Sequence, residues 1–182
     1  MAVIHNTTLT PGKLDLLDRW LPEQPWFAAA VGGGIARAGG FRLDDPDGEV
    51  GIEFMIVTVG DDAAYLVPMT YRGTPLGGDD ALIGTAEHGV LGTRWIYDGE
   101  RDPVLRTQLA ALLRGEVEPQ SQRKSDTPDP TVHVKPATGA GSVHTNRVLS
   151  ANGTPPGRGA YLSATWQRRE GAIVRGIVAT AD

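Results

Sequence analysis

The chain has 182 residues, with 17 basic and 22 acidic side chains, a formal net charge of −5 and no cysteine. That length holds one domain with a real core, or a domain plus a short appendage. The missing thiols exclude disulfides, thiolate zinc sites, iron–sulfur clusters and cysteine nucleophiles, and the weak acidity gives no general pull toward nucleic acid or an anionic membrane, so neither is an expected partner.

The 24 glycines and 13 prolines favour many turns between short strands over a helical bundle. The start, Met1-Ala2-Val3-Ile4-His5-Asn6, has no basic region followed by an apolar run. No window approaches the roughly 18 apolar residues of a membrane span. The expectation is a soluble, cytoplasmic protein.

Residues 2–9 alternate loosely and read as a first strand. Thr10-Pro11 reads as a helix start, with Thr10 as the cap and Pro11 at the first helical position. Leu14, Leu17 and Leu21 form one stripe beside Trp20, and Pro22 and Pro25 stop the helix. Residues 26–40 are rich in glycine and small side chains and read as a loop, with a strand beginning at Phe41. Asp45-Pro46-Asp47-Gly48 is a strong turn. Residues 49–59 are the clearest strand, with Val50, Ile52, Phe54 and Ile56 on one face and Met55, Val57 and Val59 on the other. After a turn at Gly60-Asp61-Asp62, residues 64–71 return as the partner strand of a hairpin.

Residues 74–80 form another turn-rich loop, and the second half of 81–97 reads as a strand. Asp102-Pro103 repeats the cap-plus-proline start, Leu105, Leu109, Leu112 and Leu113 make a second amphipathic stripe, and Gly115 is the stop. Residues 116–130 lose nearly all apolar side chains and read as a linker or mobile loop. Short strands follow at 131–134 and 143–149, then a hairpin of 160–167 and 172–179 around Arg168-Arg169-Glu170-Gly171. The fold class is α+β: a curved antiparallel sheet with two helices on one face, plus a C-terminal β-hairpin region packed on the same domain.

Local chemistry gives few strong signals. Gly32-Gly33-Gly34 and Gly39-Gly40 lack the Lys-Ser/Thr and following helix of a phosphate-cradling loop. The histidines His5, His88, His133 and His144 make no close metal-ligand pair, and no Gly-x-Ser-x-Gly elbow occurs. Asp44, Asp45 and Asp47, and Asp79 with Asp80, sit in turns where aspartate is favoured for local hydrogen bonding alone. His88, next to Glu87, suits either acid–base work or a structural hydrogen bond. Trp26, Trp95, Tyr71 and Tyr97 with Arg72 and Arg94 would suit a sugar-stacking or protein-docking surface, though aromatics on short strands are by default core. Arg158, Arg168, Arg169 and Arg175 read as a solvated basic hairpin rather than a nucleic-acid site.

The most specific local pieces are Thr70-Tyr71-Arg72-Gly73, Leu91-Gly92-Thr93-Arg94-Trp95-Ile96-Tyr97-Asp98-Gly99 and Asp102-Pro103-Val104. Together and in this order they resemble the N-terminal cap domain of bacterial maltokinases, over about residues 1–115. In that family the cap precedes a two-lobed body that binds ATP and magnesium and phosphorylates maltose. This chain resembles the cap and lacks a His-x-Asp-x-x-x-x-Asn catalytic loop, so the resemblance carries over no catalytic residue, no cofactor and no metal. The organisation it implies is a cap-like domain at 1–115, a linker at 116–130 and a β extension at 131–182. The resemblance implies a stand-alone, non-catalytic interaction or regulatory module of bacterial α-glucan, trehalose or maltose metabolism, with a protein partner or a second copy of itself. The alternative is a small sugar- or sugar-phosphate-binding protein or enzyme whose surface uses Tyr71, Arg72, His88, Arg94, Trp95, Tyr97 and Asp98.

Overall fold

The computed structural model describes residues 8–28, 34–60, 63–78, 80–124, 126–139 and 141–182. Most of the expected first strand, His5, Gly32-Gly33, Asp61-Asp62 and Asp79 lie outside the described residues. The described strands are Leu9–Thr10 (β1), Ile35–Leu43 (β2), Gly51–Val59 (β3), Ala63–Arg72 (β4), Leu82–His88 (β5), Gly92–Asp98 (β6), Val132–Lys135 (β7), Val143–Thr145 (β8), Val148–Leu149 (β9), Ala160–Gln167 (β10) and Ile173–Ala181 (β11). The helices are Lys13–Trp20 (α1) and Pro103–Arg114 (α2).

The strands form one antiparallel, curved sheet in the order β1-β5-β6-β4-β3-β2-β10-β11-β8, with β7 on β10 and β9 on β4. The fold is α+β. The sheet curls far enough for its far end to come back to β4. Val148 and Leu149 pair with Tyr65 and Ala64, while Asn146 just before them donates its backbone N–H to Val178 of β11.

Alternation along β3 decides where the two cores sit. Ile52, Phe54 and Ile56 face one core with Phe41, Leu66, Leu162, Trp166 and Val178, and α2 covers it with Leu105, Leu109, Leu112 and Leu113. Met55, Val57 and Val59 face a second core with Tyr65, Val67 and Ile96, and α1 covers it with Leu16, Leu17 and Trp20, joined by Leu21 just after the helix. The helices therefore pack on opposite faces of β3, a correction to the expectation of two helices on one face. The physical reason is that β3 is apolar on both faces, so each face needs its own cover.

Helix ends follow their local chemistry with one exception. The Asp102 carboxylate accepts from the Val104 N–H at 2.9 Å, Pro103 opens α2, and Gly115 closes it at φ 78°. At α1 the expected cap, Thr10, is already paired with Glu87 in β5, so Gly12 takes the position and donates its N–H to the Asp15 carboxylate at 3.0 Å.

Two strands differ from the sequence reading. β2 starts at Ile35, not Phe41, because the glycines are strand residues in close quarters. A Cβ on Gly39 would lie 2.8 Å from the Thr165 carbonyl oxygen, and one on Gly40 would run into the Phe54 carbonyl. Residues 82–98 form a hairpin of two strands rather than one late strand. Segment 116–124 lies along β2, where Arg42 and Gln120 exchange both backbone hydrogen bonds at 2.8 Å.

Candidate functional site

Tyr71 and Arg72 are neighbours at the end of β4, so the pleat sends their side chains to opposite faces. Tyr71 reaches a buried carboxylate. Its hydroxyl donates to Glu53 at 2.6 Å, Lys13 of α1 donates to the same oxygen at 2.6 Å, and Gln122 donates to the other oxygen at 2.8 Å. Glu53 is 5% exposed. Burial pushes its carboxyl up, but the Lys13 charge, the hydrogen bonds from Lys13 and Tyr71, and the Arg37 charge outweigh it and hold the pKa below the usual value. Burial and the Glu53 charge push the Tyr71 phenol well above its ordinary value, so it stays protonated and donating.

Arg72 turns the other way. Its Nε and Nη2 donate to the two oxygens of Asp102 at 2.7 and 2.8 Å, and the Asp102 side chain has no exposed surface. Asp102 thus caps α2 and receives a two-pronged guanidinium at once. Burial raises its pKa, but the hydrogen bonds from Arg72 and from the Val104 N–H, with the Arg72 charge, lower it on balance.

The β5–β6 hairpin carries most of the remaining predicted residues. His88 Nδ1 accepts from the N–H groups of Val90 and Leu91 at 3.3 and 3.0 Å. Arg94 Nη2 donates to the Leu91 carbonyl at 2.8 Å, and Thr93 donates to Glu87 at 2.6 Å. Arg94 also crosses over Gly73, where a Cβ would lie 2.7 Å from Nη1. The turn so fixed exposes Val90 (65%) and Leu91 (45%). Trp95 is half-buried between Arg72 of β4 and Thr85 of β5 in register. Tyr97 is buried, and its hydroxyl accepts from the Leu76 N–H at 3.0 Å.

Asp98, at the other end of β6, pairs with Arg147 at 2.5 Å, and Glu100 pairs with the same guanidinium at 2.9 Å. Arg147 lies over the Trp26 ring, 5.0 Å from its centroid, and is 9% exposed. The ring face gives this nearly buried cation an electrostatic partner beyond its two carboxylates.

The structure therefore distributes the predicted residues over three arrangements. Tyr71 joins Glu53 and Lys13, Arg72 joins Asp102, and His88, Arg94, Trp95 and Tyr97 frame the hairpin, with Asp98 at its base. Sequence reasoning missed Lys13, Glu53, Gln122 and Arg147 as partners. The one available signal was Glu53, a lone charge inside an otherwise apolar strand. The aspartate turn behaves as expected: Asp45 is buried and accepts from the N–H groups of Asp47, Glu49 and Val50 at 3.2, 3.0 and 2.9 Å. Among the described residues no group of three or more His, Asp or Glu is placed to hold a metal ion, and no helix is long and apolar enough to cross a membrane.

A comparison with curated proteins finds no match. A comparison with protein families matches residues 20–102 to the maltokinase N-terminal cap domain. The matched stretch holds β2 to β6, both partners of the Arg72–Asp102 pair and the whole Leu91 to Gly99 motif. The two glycines of that motif have different causes: a Cβ on Gly99 would run into Leu105, whereas Gly92 has open space around it and sits at φ 71°. From Trp20 to Asp102, then, this chain is similar to the maltokinase N-terminal cap domain.

Proposed function

We propose that this chain is a non-catalytic interaction or regulatory module that docks on an enzyme of bacterial α-glucan, trehalose or maltose metabolism. The observation that carries the reading is the tip of the β5–β6 hairpin. Two adjacent apolar side chains, Val90 and Leu91, stand in water on a turn braced by His88, Arg94 and the Thr93–Glu87 pair. A rigid apolar tip loses little conformational freedom on docking, so more of its burial energy appears as affinity. Elsewhere in the family-like stretch, Tyr71, Arg72 and Asp98 are held in ion pairs and hydrogen bonds within the chain. Groups so engaged serve a scaffold first.

The test is binding of the purified chain to maltose-, trehalose- and glucan-converting enzymes on a sensor surface, with light scattering to detect self-association. Complex formation that Val90→Asp with Leu91→Asp weakens by about tenfold or more, at unchanged melting temperature, is the expected result. If neither a complex nor a dimer forms, the reading fails. Stabilisation by a sugar or sugar phosphate that is lost on substituting Arg94 or Trp95 would move the function to the ligand-binding alternative.

A further inference from the structure

We propose that the groove between α2 and β8 binds an extended, acidic peptide segment, which adds as a strand to the free edge of β8. The groove lies at the opposite end of β6 from the apolar tip and is independent of it. Its cause is a conflict over β4. Residues Met69 to Arg72 of β4 pair with β6, whereas Ala64 and Tyr65 pair with β9. The strand leading into β9 must therefore diverge from β6. β8 is left pairing with β11 on one side and, among the described residues, with no strand on the other. A cavity of about 670 Å³ opens there, walled by α2 and by the turn after β6.

Three features of this cavity select its occupant. An unpaired strand edge exposes backbone N–H and C=O groups that an extended chain satisfies and a compact small molecule does not. The floor is apolar, from Leu105, Leu109, Ala110 and Val143, which suits the alternate side chains of an added strand. Among the described residues, the rim carries Arg106 and His144 with no carboxylate bonded to either, while Glu100, the one acid of the lining, is taken by Arg147 at 2.9 Å. Asp182 is not among the residues that line the groove; its backbone oxygen accepts from the Gly141 N–H at 2.7 Å. The charge left facing the groove is positive, so the complementary peptide is acidic. Thr145 adds a buried hydroxyl with no hydrogen-bond partner in the same lining.

A random-peptide display library panned on the whole chain provides the probe, with the Arg106→Glu chain for counter-selection and Arg19→Glu, on exposed α1 surface, as the charge control. Enriched peptides are expected to carry aspartate or glutamate. They should slow amide exchange at Val143, His144 and Thr145, and lose about tenfold or more in affinity for Arg106→Glu but not for Arg19→Glu. Thr145→Val should weaken them several-fold with the fold intact by circular dichroism. Failure to enrich any sequence, equal binding to Arg106→Glu, or protection confined to other amides would each overturn the proposal.

Discussion

Arg72 illustrates how a motif residue can be fixed by a partner that the motif does not contain. Both of its bonded nitrogens meet a carboxylate with no exposed surface, which is also the cap of α2. Removing the guanidinium leaves that carboxylate buried and short of donors. Arg72→Ala should cost about 3 kcal/mol in urea unfolding. Arg72→Lys keeps the charge and loses the fork, so it should cost roughly half as much. Equal stabilities for the two variants would mean that charge alone matters. The acid limb of stability follows from the same groups. Asp102 and Glu53 both have lowered folded pKa values, so at acid pH the unfolded chain binds more protons than the folded one. Their contribution is complete above the ordinary carboxylate values of 3.8 and 4.5 and is lost as pH falls through the lower folded ones. Tyr71 is raised, so its contribution is complete below its ordinary value of 10.0 and is lost above it. Unfolding free energies measured against pH should be flat in between, and Glu53→Gln should flatten part of the acid limb while lowering the plateau. The motifs themselves were legible in the sequence. Their partners were not, because Glu53 lies 18 residues from Tyr71 and Asp102 lies 30 from Arg72, beyond any local pattern.

Among elements, those governed by local chemistry were readable and those governed by contact were not. The cap and stop of α2 follow from Asp102-Pro103 and Gly115, and the turn at Asp45 follows from its own side-chain bonds. β2 was read too short because glycine lowers strand propensity, whereas here Gly39 and Gly40 allow two backbones to approach. Gly39 also forms the register pair with Trp166 that joins β2 to β10. Gly39→Ala should therefore destabilise the chain by about 1–3 kcal/mol, the range for overpacking, because the obstacle is a backbone carbonyl that cannot swing aside. Amide exchange should accelerate at Thr165 and Trp166 beyond the global loss. An unchanged exchange pattern would place the β2–β10 junction elsewhere. β5 escaped notice for a related reason: Gly84 interrupts it, and Leu16 of α1 fills the space that a side chain would take.

At the scale of the molecule, residues 1–115 and the extension at 131–182 share one of the two cores. Phe41, Phe54, Ile56 and Leu66 pack in one cluster with Leu149, Leu162, Ala164, Trp166 and Val178, and the leucines of α2 close it. Arg147 ties the two halves again from the other face through Asp98, Glu100 and Trp26. A chain ended after Gly115 would keep α2 but lose Leu149, Leu162, Ala164, Trp166 and Val178 from the core on that face of β2, β3 and β4. Each large apolar side chain removed from that core forfeits roughly 1.5–3 kcal/mol of burial. A handful of them matches the 5–15 kcal/mol that holds a typical domain together. The shortened chain should keep strand signal in the far ultraviolet, lose its near-ultraviolet bands and bind a hydrophobic dye, the signature of a collapsed state without fixed packing. Adding residues 131–182 in trans should restore cooperative melting if the shared core is what was lost. A shortened chain that melts cooperatively near the temperature of the whole would instead show that α1 and its own cluster around Tyr65 and Ile96 suffice to hold the cap, and that the extension is carried by it rather than built into it.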